Sequence, residues 1–287
     1  MFWRFCAGAL LLVSIAATAQ SSVWLVSKGN DQLLIGGTVH LLPPAQYPLP
    51  DEFAAAYQQS DVVVLETDLR ELADADNATL MQQHLLYPAG TTLSSKLSAK
   101  TLQRLQPLLQ QNKLSQAQVD QFKPGMLVTQ LTLLELQRQG FSAVGVDQYF
   151  LTQAQQQKKT LRFLETVDFQ FKLLGDLGAG REEQFFAYAL NDVDKTAEVM
   201  AETLRLWRSG DLSALDQLLL APLKSADAVT YQQMFIARNQ AWLPQIQAMF
   251  GDQQREFILV GLGHLAGPDG VLALLTQAGY KVEPLKR

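Results

Sequence analysis

The sequence predicts an α/β fold, with a central mixed, largely parallel sheet and long helical excursions packed over it. Three observations carry this. Residues 61–66 (DVVVLE) and 257–260 (FILV) are continuous apolar runs, the pattern of strands buried on both faces beneath covering helices. Short strand-like runs alternate with helical segments along the chain. Two long stretches, about 69–139 and about 169–250, are rich in helix-forming residues, with apolar side chains near a 3.6 period.

In chain order, 23–27 and 32–35 read as a hairpin around Lys28-Gly29-Asn30-Asp31, with Gly and Asn supplying positive φ. The second run continues into Gly36-Gly37-Thr38-Val39-His40, and Pro43-Pro44 ends regular structure. A short helix at 52–59 precedes the strand at 61–66. Within 124–140, Met126, Leu127, Leu131 and Leu134 repeat helically, with Pro124 before the start and Gly140 after the end. Gly145-Val146-Asp147 opens a helix to about Lys159, and Asp147 reads as its N-cap; 160–165 is the next strand. Val193, Ala197, Met200, Leu204 and Trp207 form one helical stripe, broken at Gly210-Asp211. The strand at 257–260, a helix at 271–278 and a strand at 280–283 finish the chain.

Charge and processing signals bound the function. Net charge is -5 and the pI about 5.3, so no basic footprint points to nucleic acid. Residues 1–19 join Arg4, a short apolar run and Ala17-Thr18-Ala19 in the layout of a secretory signal, with cleavage after Ala19. Removal leaves 20–287, read as one α/β domain that is periplasmic or secreted and has no stable membrane span. It also removes Cys6, the single cysteine, and with it any disulfide, thiol nucleophile or zinc thiolate.

The strand ends share a pattern. Two finish in G-x-x-H, at Gly37/His40 and Gly261/His264, and two in Leu-Glu, at Glu66 and Glu165. If these strands are parallel neighbours, two imidazoles and two carboxylates meet at the carboxyl edge of the sheet, where open α/β sheets bind ligands. Each glycine would let the backbone leave its strand and clear space beside the imidazole. His40, His264 and Glu66 suit a divalent ion such as manganese, cobalt or zinc, and a second glutamate could move protons. Arg238 and Asn239 fall on the apolar stripe of Phe235, Trp242, Ile246 and Met249, where a polar pair needs partners. They either brace the fold or reach the crevice. Asp147 and Asp68 are weaker candidates, and His84 reads as a surface helix residue. H-E-x-x-H, Walker A and G-x-S-x-G motifs are absent from the sequence. A dinucleotide loop at 261–267, with Glu283 ending the following strand, is a loose rival because its glycines are spaced G-x-G-x-x-x-G.

These motifs resemble the TraB/GumN proteins, related to the Tiki proteases and more remotely to erythromycin esterases and the haem-binding ChaN fold. The likeness runs from LLIGGTVHLLP through SDVVVLETDL, GVDQYFLTQAQQQKKTLRFLETVDFQ and FIARNQAWLPQI to FILVGLGHLAGPDGVLALLTQAGYKVEPL. It implies a fold in two similar halves and metal-dependent peptidase activity, as in the Tiki branch. The family's motifs fall on Gly37, His40, Gly261 and His264, its glutamates on Glu66 and Glu165, and its Arg-Asn pair on Arg238 and Asn239.

The expected function is therefore an exported metal-dependent hydrolase acting on a peptide or small-molecule substrate. His40, His264 and Glu66 would surround the metal, Glu165 would act as base or further ligand, and Arg238 and Asn239 would hold the oxyanion. The alternatives are a non-enzymatic haem or ligand binder and a metal-independent esterase-type hydrolase.

Overall fold

The computed structural model describes residues 21–286 except 73–76, 142–143 and 191–195. The export reading of residues 1–19 and the stripe position Val193 lie outside the described residues. Among the described residues no helix is long and apolar enough to cross a membrane.

Six strands form one mixed sheet: β1 (Val23–Lys28), β2 (Asp31–Thr38), β3 (Val62–Leu65), β4 (Thr160–Phe163), β5 (Glu256–Gly261) and β6 (Lys281–Pro284). Their order is β4-β3-β5-β2-β1-β6. The first four run parallel, while β1 is antiparallel to both β2 and β6. Strands from the two halves of the chain thus interleave within one sheet. At the β1–β2 turn only Gly29 takes positive φ, at 62°; Asn30 does not share it.

Alternation along the parallel strands divides the core into two layers. Val63, Leu65, Phe257 and Leu259 pack on one face beneath Phe53 and Tyr57 of the helix Asp51–Gln59, Phe150 of Val146–Gln157 and Trp207 of Thr196–Ser209. Val62, Val64, Ile258 and Val260 face the other side, covered by Trp242 and Ile246 of Ala237–Ala248 and by Leu272 and Leu275 of Val271–Gln277. The helical excursions build a further cluster of their own, with Leu105, Leu109, Leu127, Leu131 and Phe186 buried together. Pro124 occupies the first turn of the helix Pro124–Arg138 rather than preceding it, since its missing N–H costs nothing there.

β2 is longer than its apolar run implies. Gly36 and Gly37 pair with Leu259 and Val260 of β5 and belong to the strand. A Cβ on Gly37 would stand 2.6 Å from Leu262 Cδ1, so that glycine serves close packing and not an early exit from the strand. The loop at 261–267 does not form a dinucleotide unit. A 3₁₀ turn, Leu262–His264, separates β5 from the helix Val271–Gln277, and β6 with Glu283 pairs only with β1 at the far edge.

Candidate active site

Four adjacent parallel strands place their carboxyl ends side by side. β2 leads to His40, β5 to His264, β3 to Glu66 and β4 to Glu165. The β3–β4 pairing continues one step past the strands through Leu164 N–H to Leu65 O (3.0 Å) and Glu165 N–H to Glu66 O (2.8 Å). This holds the two glutamates in register. Arg238 and Asn239 arrive from the other face on Ala237–Ala248, just after a π-helical turn at Gln232–Ile236.

Arg238 is 4% exposed and joins the cluster. It donates from Nε and Nη2 to Glu165 (both 2.9 Å), from Nη2 to Glu66 Oε2 (2.5 Å) and from Nη1 to His264 Nε2 (2.9 Å). Glu165 also accepts from Trp242 Nε1 (2.8 Å) and Gln170 Nε2 (2.5 Å). With its oxygens so engaged, Glu165 anchors Arg238; it is not a free base. Burial works against charge on Arg238, but the carboxylates of Glu66 and Glu165 outweigh it and raise its pKa.

Glu66 Oε1 accepts the Gly261 N–H at 2.6 Å. Burial alone would push the Glu66 carboxyl up; the positive groups His264, Arg238 and His40 and the Gly261 N–H bring it down to about 2. His264 lies 4.0 Å from it and is itself pushed down to about 3 by burial, so near neutral pH Arg238 and His40 supply the charge that holds Glu66 ionised. The rings of Trp242 and Phe235 flank His264 at 4.4 and 5.1 Å between centroids and keep water from it.

The tautomer of His264 follows from its neighbours. Asn239 donates from Nδ2 to the Asp269 carbonyl at 2.8 Å, which turns its Oδ1 towards His264 Nδ1, 2.7 Å away. Nδ1 therefore carries the proton and Nε2 the lone pair. Asn239, 1% exposed and committed at both ends of its amide, acts through His264 and does not reach the crevice.

His40 is the open member, with its side chain 64% exposed. Its Nδ1 lies 2.6 Å from Asp147 Oδ2, and that carboxylate raises the imidazole pKa to about 9. Asp147 is not the N-cap of its helix: Gly145 holds that position and Asp147 lies in the first turn. No local pattern marks a pairing across 107 residues, so the sequence offers Asp147 only as a weaker candidate and does not join it to His40. Trp242, four residues after Arg238 on one helix face, was the more legible omission.

Asp68 is spent on a two-pronged pair with Arg70 and does not join the cluster. His84 is largely covered, at 16% side-chain exposure, and bonds Asp168 at 2.8 Å; it is neither a surface residue nor part of the site.

The motif glycine of β5 explains the gap at the centre. A Cβ on Gly261 would stand 3.2 Å from Glu66 Oε1, 3.5 Å from His264 Cδ2 and 3.8 Å from His40 Nε2. One carboxylate oxygen and two imidazoles thus border a space the size of a side-chain atom. Among the described residues no three such groups form a ready-made metal cage. The donor types fit a divalent ion: His40 gives Nδ1 to Asp147 and leaves Nε2 open, while His264 Nε2 would have to exchange its bond from Arg238 Nη1 (2.9 Å) for the ion.

Residues 22–284 match the family model described as the TraB/PrgY/gumN family. The chain is similar to the metalloprotease TIKI1 of Danio rerio, at 24% identity over 92% of this chain and 63% of that protein. The chain thus spans less than two thirds of the length of this curated relative. No solved structure matches it.

Proposed function

Because the chain belongs to the TraB/PrgY/gumN family, we propose that it is a hydrolase of the peptidase kind, dependent on a divalent ion held by His40, His264 and Glu66. The observation that carries this reading is the space over Gly261, bordered by Glu66 Oε1 and both imidazoles. Similarity to a metalloprotease along most of the chain supports the class of reaction. Two nitrogens and a carboxylate oxygen suit manganese, cobalt or zinc. Bound there, such an ion supplies Lewis acidity and lowers the pKa of water towards neutrality.

The remaining roles belong to the chain. Arg238 offsets two partly buried carboxylates and keeps Glu66 ionised beside the imidazoles. Glu165 holds Arg238, and Asn239 keeps the His264 proton on Nδ1. His40, the exposed ligand, marks the side from which a peptide approaches. The pattern of residues 1–19 supports placing the activity outside the cytoplasm.

The test is elemental analysis of protein purified without chelator, joined to a peptide-library cleavage screen. Cleavage is expected to vanish on chelation, to return with manganese or cobalt, and to be absent from His40→Ala and His264→Ala. Turnover that survives exhaustive chelation would sink the metal-dependent reading.

A further inference from the structure

We propose that Asp147 is the positioning residue for His40, fixing which ring nitrogen faces the space over Gly261. The inference rests on the reading that this space holds a divalent ion. Asp147 Oδ2 stands 2.6 Å from His40 Nδ1, so Nδ1 holds the proton it donates. Nε2 is then the nitrogen turned to the gap, 3.8 Å from where a Gly261 Cβ would be.

Three consecutive residues are shaped for this contact. A Cβ on Gly145 would fall 2.2 Å from the His40 carbonyl oxygen and 2.5 Å from that of Val39, so only glycine lets the helix start lie against that backbone. Val146 N–H donates to Val39 O at 3.1 Å and ties the two segments together. Asp147 follows in the first helical turn, where the helix dipole favours a carboxylate.

Stability does not account for the pair. His40 is mostly exposed, so solvent screens the attraction and the net gain is small. Asp147 is 8% exposed, and its Oδ1 has no hydrogen-bond partner among the described residues. A buried oxygen without a partner is a cost that a structural ion pair avoids. His264 shows the same arrangement built from a neutral group, with Asn239 Oδ1 on its Nδ1. Both rings are held through Nδ1 by a buried side-chain oxygen; His40 turns Nε2 to the space over Gly261, whereas His264 borders it through Cδ2 and gives Nε2 to Arg238. Such partners orient metal-binding histidines, and their loss weakens metal affinity about 10- to 100-fold.

The experiment is calorimetric titration of the full chain with Zn²⁺, comparing wild type, Asp147→Ala, Asp147→Asn, His40→Ala and the double variant Asp147→Ala/His40→Ala, alongside melting curves. Asp147→Ala is expected to melt with wild type yet lose about 10- to 100-fold in affinity, and Asp147→Asn, which keeps an oxygen for the Nδ1 proton, to recover part of that loss. The double variant should bind no more weakly than His40→Ala alone. Proton NMR of the metal-free protein adds a second reading: one downfield imidazole N–H of wild type, identified by its loss in His40→Ala, is expected to be lost in Asp147→Ala as well, while that of His264 persists. Wild-type zinc affinity in Asp147→Ala overturns this inference alone and leaves the proposed function standing. So does a further loss on adding Asp147→Ala to His40→Ala, or a wild-type spectrum from which His40→Ala removes no downfield proton. A wild type that binds no zinc overturns both.

Discussion

Asn239 Oδ1 accepts the Nδ1 proton of His264 across 2.7 Å, and this bond makes Nε2 the acceptor that takes Arg238 Nη1 at 2.9 Å. Replacing Asn239 with Ala strands that N–H in a pocket walled by Trp242 and Phe235. The expected loss is about 1–3 kcal/mol of stability in urea denaturation, the cost of an unsatisfied buried donor. A variant as stable as wild type would show that the bond is not formed.

Arg238 bridges Glu66 and Glu165 in this cluster. Its removal leaves the two carboxylates facing each other with no cation between them and only His40 near Glu66. Arg238→Met should cost about 3–5 kcal/mol, because breaking a buried pair leaves uncompensated charge. Adding Glu165→Gln should restore part of that loss. A double variant less stable than Arg238→Met would contradict the assignment of Glu165 as the anchor of Arg238.

Two glycines should separate folding from function. Gly261→Ala places its methyl group in ordinary to tight contact, 3.2–3.8 Å from the surrounding side-chain atoms, at a backbone φ of −50° that alanine accepts. It should fold and melt near wild type while losing zinc affinity, because the methyl occupies the space between Glu66 and the imidazoles. Gly145→Ala instead meets backbone atoms at 2.2–2.5 Å, which cannot yield as side-chain ends do. Its expected cost is about 1–3 kcal/mol or more, with His40 displaced. Thermal melts and zinc calorimetry on both variants check the contrast.

Stability should depend on pH in two opposite senses. His264 is depressed from 6.5 to about 3 and Glu66 from 4.5 to about 2, so the unfolded chain takes up each proton first. Their contributions are present above the unfolded values and are lost as pH falls through the folded ones, so stability should decline from about pH 6.5 downward. His40, raised from 6.5 to about 9, contributes fully below 6.5 and loses its contribution as pH rises through 9. Its exposure makes this the smaller effect. Urea denaturation across pH should show Glu66→Gln flattening the slope between 4.5 and 2. A wild-type stability unchanged between pH 6.5 and 3 would contradict a buried neutral His264.

Much of the fold is legible in the sequence. The runs at 61–66 and 257–260 became β3 and β5, the central parallel strands, because a strand covered on both faces must be apolar at every position. The short hairpin and the helices at 52–59 and 271–278 also emerged close to their expected limits. β2 exceeded its apolar run because its glycines pair with β5, and nothing local marks a glycine as strand.

By itself the sequence determined the ionisable groups at the strand ends, since a buried run that stops at His or Glu must open where those side chains can be charged or bonded. Only the tertiary structure decided what each group does. Strand order set Glu66 between Glu165 and His264, and the approach of a helix from the opposite face committed Arg238 and Asn239 to neighbours inside the cluster. Asp147 meets His40 across 107 residues of chain. Local pattern encodes burial and periodicity, whereas hydrogen-bond partners depend on distances that exist only after distant segments have packed.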